Sequence, residues 1–231
     1  MEDNSINYYG LLPHYTHIVN PKLKHIYLSI DDKGNLIIKS PTVSQKKIEN
    51  LLLEKVSWIN KSREKIRRRK GKTLDFTTEC ELYFLGESHP FNLVAHDKQK
   101  MELLFDGDAF TLLYYTYDEK AFLKKIDAFY KKEAALYITP LLHNWSDKMQ
   151  LFTRKLSFRK TKRQWGSCSS QNDISINTMV MKLPLNVIEY IVVHELAHIK
   201  HKHHQKDFWK LVAYYLPNYK LHVKELKNYT T

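Results

Sequence analysis

Residues 184–204 read PLNVIEYIVVHELAHIKHKHH, and this stretch decides how the rest of the chain is interpreted. Apolar residues recur in it at intervals of three and four, which is the spacing of an amphipathic helix. They are Ile188, Ile191, Val192, Leu196 and Ile199. Pro184 suits a helix start, and Asn186 with Glu189 three residues later matches the capping-box pattern. The stretch therefore predicts a helix with an apolar back and a front that carries histidines.

The front of this helix carries a candidate metal site. His194 and His198 are four residues apart, and Glu195 directly follows the first, in the order H-E-x-x-H. Residues four apart lie on one face of a helix, so both imidazoles can bind one zinc ion. Such a site keeps one position open for water, and a carboxylate beside that zinc-bound water can take its proton. The pattern predicts His194 and His198 as metal ligands and Glu195 as the general base.

Three later histidines, His201, His203 and His204, are candidates for the third ligand. On a continuous helix His201 would lie about 10.5 Å along the axis from His194, too far for three rings to converge on one tetrahedral ion. His204 can approach if the helix ends soon after His198 and the chain turns back, although no glycine marks such a turn. We favour His204, and we expect His201 and His203 at the polar rim of the site.

Strand patterns dominate the first half of the chain and helical patterns the second. Alternation and turn sequences predict strands at 24–30 and 35–40, and a four-stranded meander at 81–85, 90–96, 101–105 and 109–115. Helical spacing predicts helices at 44–67, 206–215 and 221–228, and a long helix that follows an N-cap at Asp118. Pro140 should kink or break the long helix. Strands at 151–158 and 173–177 should form a second hairpin, and residues 1–20 should be irregular.

The composition excludes several classes of protein. Hydrophobic residues make up 43% of the 231 residues, which is too many for a disordered chain. No apolar run approaches the roughly 18 residues of a membrane span, and the N-terminus lacks the pattern of a signal peptide. Two cysteines, Cys80 and Cys168, do not make a disulfide framework. We therefore expect a cytoplasmic protein without a membrane segment.

The chain is strongly basic, with 37 Lys and Arg against 25 Asp and Glu and a formal net charge of +12. Basic runs cover residues 61–72 and 154–163, and the second leads into Trp165. A positive surface favours anionic partners, and nucleic acid is therefore a possible partner. A solvated, lysine-rich surface without any such partner is the plainer alternative.

Several motifs together resemble one known family. They are Trp165-Gly166-Ser167-Cys168, Ile174-Ser175-Ile176-Asn177, the segment from Val192 to His198, and then His201, His204, Phe208 and Trp209. The chain resembles the YgjP-like metallopeptidase family and is similar in its core to the SprT-like and WLM zinc metalloproteases. The resemblance implies that His194, His198 and His204 bind zinc and that Glu195 is the general base. It also implies that Phe208 and Trp209 pack the helix after the third ligand against the core.

The resemblance implies an α+β fold with a minimal zincin-like catalytic domain, in which a small twisted sheet lies over the H-E-x-x-H helix. We expect that hydrolase domain over residues 118–231 and a β-rich N-terminal region with one helix over 1–117. In zincins an edge strand commonly holds an extended substrate, and the strand at 173–177 is our candidate, with an ordinary interior strand as the alternative. The chain departs from the family pattern at Gln164 and Gln205, where many members have Arg and Ser.

Residues near the predicted site are weaker candidates for a role. Arg163, Trp165, Gly166 and Ser167 are predicted to border the substrate. Cys168 lies outside any nucleophile-elbow pattern and is interpreted as a small buried thiol. Three tyrosines after the metal motif are candidates for stabilising an oxyanion, with core packing as the plainer interpretation. These are Tyr214, Tyr215 and Tyr219.

Three functions follow from these residues. The first is a zinc-dependent metallopeptidase in which Glu195 activates a zinc-bound water, with a peptide or protein as substrate. The same machinery can attack phosphorus, so the second is a metal-dependent nucleotide phosphohydrolase of the nucleoside triphosphate pyrophosphatase type. The third is a DNA-associated binding protein or protease, which the basic surface suggests.

Overall fold

The computed structural model describes residues 12–31, 34–67, 74–76 and 80–230. The chain divides between Arg69 and Lys70 into two compact units, each with its own hydrophobic core. The predicted boundary between residues 117 and 118 lies inside the second unit, whose core includes Leu112 and Phe122. The predicted irregular lead-in before residue 12, and residues 68–72 of the first basic run, lie outside the described residues.

The first unit is a three-stranded sheet with one helix. It contains β1 (Tyr15–Val19), β2 (Tyr27–Ile30), β3 (Leu36–Ser40) and α1 (Gln45–Arg67). Strand β3 is central, parallel to β1 and antiparallel to β2, and its Leu36 and Ile38 share a core with α1. The predictions of β2, β3 and α1 are confirmed. The prediction that residues 12–20 are irregular is wrong, because β1 is organised by its pairing with β3 rather than by a periodic pattern of its own.

The second unit opens with a four-stranded sheet. Its strands are β4 (Cys80–Phe84), β5 (Glu87–Ala95), β6 (Glu102–Phe105) and β7 (Phe110–Tyr114). All four strands were predicted, but the meander order is wrong, because the sheet runs β4-β5-β7-β6 with β5 and β7 parallel. The turn between β6 and β7 closes on Asp106, which accepts from two main-chain N–H groups. This hairpin places β6 at the edge and leaves β7 free to pair with β5.

The long helix α2 (Glu119–Met149) begins where the sequence predicts. The Asp118 side chain accepts hydrogen bonds from the main-chain N–H groups of Lys120 and Ala121. The predicted break at Pro140 does not occur, and the helix continues through it. Pro140 leaves the carbonyl of Leu136 without its helical partner, and the Leu136 side chain is 63% exposed, on the side that water reaches. Buried residues before and after Pro140 hold the helix against the core.

A second small sheet consists of β8 (Lys155–Arg159), β9 (Gly166–Cys168) and β10 (Asp173–Asn177). Strand β10 is central, parallel to β8 and antiparallel to β9. The predicted hairpin of the first and last of these strands is therefore wrong. The candidate substrate strand at 173–177 is the interior strand, and β9 lies at the edge instead. A strand of three residues is too short to show an alternating pattern in the sequence.

The chain ends in a short 3₁₀ helix (Thr178–Lys182) followed by α3 (Leu185–Lys200), α4 (Lys206–Tyr215) and α5 (Tyr219–Leu226). Helices α3, α4 and α5 were predicted to within a few residues, whereas the 3₁₀ helix was not, and the α+β class is confirmed. The prediction of a capping box is wrong, because the N-cap residue of α3 is Pro184, which forms no side-chain hydrogen bond to the helix end. The Asn186 amide contacts His222 of α5, and the Glu189 carboxylate accepts from the Trp145 indole. Both polar side chains thus bind partners elsewhere in the fold instead of capping the helix.

None of the helices that the structure describes combines the length and the apolar composition that a membrane crossing needs.

The turn between β4 and β5 packs closely against Pro184, the residue before α3. Gly86 has φ +93° there, and an added Cβ would lie 2.7 Å from Cγ and 2.9 Å from Cα of Pro184, just before α3. We expect Gly86→Ala to lower the free energy of unfolding by about 2–4 kcal/mol, through left-handed backbone strain together with the clash. Urea denaturation would measure it.

Gly107→Ala is the matched control. Gly107 has φ +107°, and an added Cβ would meet nothing within 4 Å. We expect only the backbone cost there, about 1–2 kcal/mol. Equal losses in the two variants would contradict a packing role for Gly86.

Candidate metal centre

Helix α3 and the loop after it bring three histidines together. His194 and His198 lie on successive turns of α3, which ends at Lys200. The chain then turns back, so that Nε2 of His204 lies 3.0 Å from Nε2 of His194 and 3.1 Å from Nε2 of His198. The potential ligand atoms of the three residues all lie within 4.8 Å of one another. The structure thus assembles the three predicted ligands, while His201 and His203 are outside the group.

The chemistry of this donor set suits a zinc ion. Burial, and then the neighbouring His198 and His204, lower the pKa of His194 to about 3. Burial also lowers the pKa of His198. The neutral imidazole is the form that binds metal, and three converging imidazoles leave a fourth tetrahedral position open. These residues therefore fit zinc in number, type and spacing.

Two aromatic residues of α4 hold this arrangement. The buried ring of Phe208 lies 4.6–4.9 Å, centroid to centroid, from all three histidine rings. Trp209 stacks on His204 at 5.6 Å and donates its indole N–H to the main-chain oxygen of His204 at 3.2 Å. These contacts, rather than a glycine turn, position the third ligand. The aromatic pair contacts the ligands directly as well as packing α4.

Glu195 directly follows His194 in α3 and is buried. Its residue exposure is 5%, and burial raises the pKa of its carboxyl to about 8. Among the residues that the structure describes, no hydrogen-bond partner reaches Oε2. Without a nearby positive charge this carboxyl would hold its proton at neutral pH, and a bound cation would favour the carboxylate. A buried oxygen without a partner, on the residue that follows a candidate metal ligand, has the properties of a catalytic base.

Gly166 of β9 allows the sheet to approach Glu195. A Cβ at this position would lie 2.6 Å from Oε1 and 2.8 Å from Cδ of Glu195. The predicted substrate-border residue is therefore a space-making residue next to the candidate base. The sequence signal for this role was only a glycine within the motif Trp165-Gly166-Ser167-Cys168.

The other predicted border residues lie further from the ligands. The main-chain oxygen of Trp165 accepts from Asn177 at 2.8 Å and begins the β9 pairing. Ser167 faces away from the Gly166 side by strand alternation, and its hydroxyl is 3.4 Å from Arg159 Nη2. Arg163 is exposed in the loop before β9. In the described part of the chain neither Ser167 nor Arg163 contacts the three histidines.

Sequence reasoning missed Lys202. Its ammonium donates to the main-chain oxygen of Ser169 at 2.8 Å and to Oδ1 of Asn172 at 2.7 Å. It thereby ties the metal-binding loop to the turn between β9 and β10. Nothing in the pattern of residues around it distinguishes this lysine from its exposed neighbours.

Tyr190 was also missed, because it lies in the helix pattern without any motif of its own. Its hydroxyl is 3.2 Å from Nδ1 of His194, one turn further along α3.

The cysteine and the tyrosines that the sequence offered as weaker candidates are considered next by their contacts and exposure. Burial raises the pKa of the Cys168 thiol, which fits the interpretation as a packed thiol rather than a nucleophile. Tyr219 stacks on Trp209 at 5.3 Å, and the Tyr215 ring packs edge-on to Trp145. Tyr214 is 78% exposed.

The predicted role of His204 as the third ligand can be tested by comparison with the neighbouring His203. We expect His204→Ala to weaken zinc binding by more than about 100-fold, since partners that only support a ligand already account for 10–100-fold. His203→Ala removes an equally exposed imidazole one residue earlier and should leave zinc affinity unchanged. Competition with a chromophoric chelator measures both constants. Equal affinities in the two variants would show that His204 is not a ligand.

Comparison with known proteins identifies a family for the chain. The family model described as YgjP-like, metallopeptidase domain, matches residues 24–229. The UTP pyrophosphatase of Escherichia coli (strain K12) is 38% identical over 56 residues, which are 24% of this chain and 34% of that protein. The match thus spans about a third of that curated relative.

Two solved metallopeptidase zymogens share a partial likeness in structure. Abylysin of Pyrococcus abyssi is 23% identical, with a TM-score of 0.36 over 41% of this chain and 99% of its own. Jannalysin of Methanocaldococcus jannaschii is 18% identical, with a TM-score of 0.34 over 38% of this chain and 93% of its own. Since the family model covers nearly the whole chain, the protein belongs to the YgjP-like metallopeptidase-domain family.

Proposed function

We propose that this protein is a zinc-dependent hydrolase in which His194, His198 and His204 hold the metal and Glu195 moves the proton. One observation carries the proposal: three imidazole nitrogens converge, and the residue that follows the first of these histidines is a buried glutamate whose Oε2 has no partner among the described residues. Membership of a metallopeptidase-domain family supports a hydrolytic activity.

The bound metal, Glu195 and Gly166 have separate roles in the proposed hydrolysis. Bound zinc would supply a Lewis acid that polarises the scissile carbonyl or phosphoryl oxygen and makes water more acidic. Glu195 takes a proton from the attacking water and delivers it to the leaving group. Gly166 leaves the space that the Glu195 carboxylate occupies. Burial of Glu195 keeps bulk water from competing for its proton.

A peptide is the first candidate substrate. Strand β9 lies at the edge of its sheet and, within the described residues, pairs only with β10. Its open side offers main-chain N–H and C=O groups, which can pair with an extended chain. Because β9 contains Gly166, a peptide bound there would pass close to Glu195. The predicted role of the 173–177 strand is thus transferred to β9.

A nucleoside triphosphate is the second candidate substrate, with cleavage that releases pyrophosphate. It is supported by the 38% identity over 56 residues to a UTP pyrophosphatase. Arg159 at the end of β8 and Arg163 in the loop before β9 are both exposed, and they can attract a polyphosphate. Water would attack the α-phosphorus, and the bond to the bridging oxygen would break as Glu195 protonates the leaving group.

Two further expectations concern the setting of the enzyme. An association with nucleic acid is supported by the net charge of +12, and it predicts an affinity that falls steeply with salt. A cytoplasmic location stays a prediction from the sequence.

Wild type and Glu195→Gln, compared side by side, test the function. Both would be loaded with zinc, quantified by elemental analysis, and assayed against an unfolded protein and a panel of nucleoside triphosphates. We expect equal zinc in both and hydrolysis reduced by about 10²–10⁴-fold in the variant, since it cannot accept the proton. Peptide products in wild type alone would identify a peptidase, and pyrophosphate release in wild type alone a pyrophosphatase. Zinc absent from both proteins would overturn the site.

Gly166→Ala tests the space beside the base. The added methyl group would displace the Glu195 carboxylate, and a shift of about 1 Å at a reacting group can cost about 100-fold in rate. We expect a loss of this order with zinc content unchanged, because Glu195 is not a ligand. Gly107→Ala, a glycine with open space around it, should retain wild-type activity. Full activity in Gly166→Ala would refute the steric argument.

A further inference from the structure

We infer that Tyr190 is a positioning residue that fixes the tautomer and orientation of the His194 imidazole, so that its Nε2 faces the metal. This inference rests on the zinc site proposed above. It assigns a role to a residue of α3 outside the H-E-x-x-H motif.

The two nitrogens of the His194 ring have different partners. Nδ1 lies 3.2 Å from the hydroxyl of Tyr190, one helical turn earlier, and Nε2 lies 3.0 Å from Nε2 of His204. A neutral imidazole carries its proton on one nitrogen only. If Nδ1–H donates to the phenol oxygen, Nε2 keeps a lone pair for the metal. The opposite direction of this hydrogen bond would place the proton on Nε2 and block binding.

Tyr190 is itself held in place from two sides. Its exposure is 5%, and it belongs to the central helix of the unit core. Its ring also lies 6.4 Å from the ring of His222 in α5, which the Asn186 amide approaches to 3.3 Å. A hydroxyl on a ring fixed in this way can hold the imidazole at one angle.

The other two ligands are supported differently. His198 Nδ1 is 3.0 Å from the main-chain oxygen of His201, and His204 is held by Trp209. A main-chain acceptor cannot be removed by substitution, whereas the Tyr190 hydroxyl can be removed without changing the ring. Partners that orient ligating histidines typically account for 10–100-fold in metal affinity.

Tyr190→Phe therefore isolates the hydroxyl. We expect the zinc dissociation constant, measured by chelator competition, to rise 10–100-fold. The melting temperature of the metal-free variant should stay near that of wild type, because the ring and its packing remain. Tyr215→Phe is the matched control: it removes a hydroxyl from a ring that packs edge-on to Trp145, and it should leave zinc affinity unchanged.

A second measurement needs no variant. Long-range ¹H–¹⁵N spectra of the zinc-loaded wild type report which nitrogen of His194 carries the proton, and we expect it on Nδ1. Zinc on Nδ1, or equal zinc affinities of Tyr190→Phe and wild type, would overturn the inference and leave the proposed site intact. A wild type that binds no zinc would overturn the site and the inference together.

Discussion

The approach of β9 to α3 at Gly166 is the constraint on which the candidate site depends. A methyl group there would come within 2.6 Å of Oε1 of Glu195, so the sheet reaches the helix only because this position has no side chain. The approach buries the carboxylate, and burial raises its pKa to about 8. A buried carboxyl with an unpaired oxygen is unfavourable for folding unless a cation compensates for it. The proposed role of Glu195, rather than stability, therefore accounts for this local packing.

The sequence was sufficient to find the three histidines that converge, because their signal is local. The spacing of His194 and His198 follows directly from helix geometry, and the end of α3 two residues later allows His204 to return. How the chain turns without a glycine could not be predicted, since Trp209 and Lys202 make the turn through side-chain contacts. Nor could the role of Gly166, which depends on a strand from elsewhere in the chain meeting the helix.

In the fold, too, features that depend on neighbouring residues could be predicted, and features that depend on distant contacts could not. Periodicity located nearly every strand and helix, because alternation and helical spacing are local properties. Pairing order was predicted incorrectly in both sheets of the second unit, since β5 with β7 and β8 with β10 are neighbours only through long-range hydrogen bonds. The continuous helix at Pro140 and the displaced capping box at Asn186 are also cases in which tertiary contacts outweigh local preference.

The third ligand belongs to a loop, whereas the first two belong to a buried helix. Folding of α3 alone brings one nitrogen each of His194 and His198 together. The exposed His204 adds the third nitrogen from the solvent side. With zinc bound as proposed, ion exchange would need only the movement of residues 201–205, with α3 remaining folded. The lifetime of the bound ion would then be governed by the hydrogen bonds that Trp209 and Lys202 donate around that loop, and it would be set independently of the stability of the protein core.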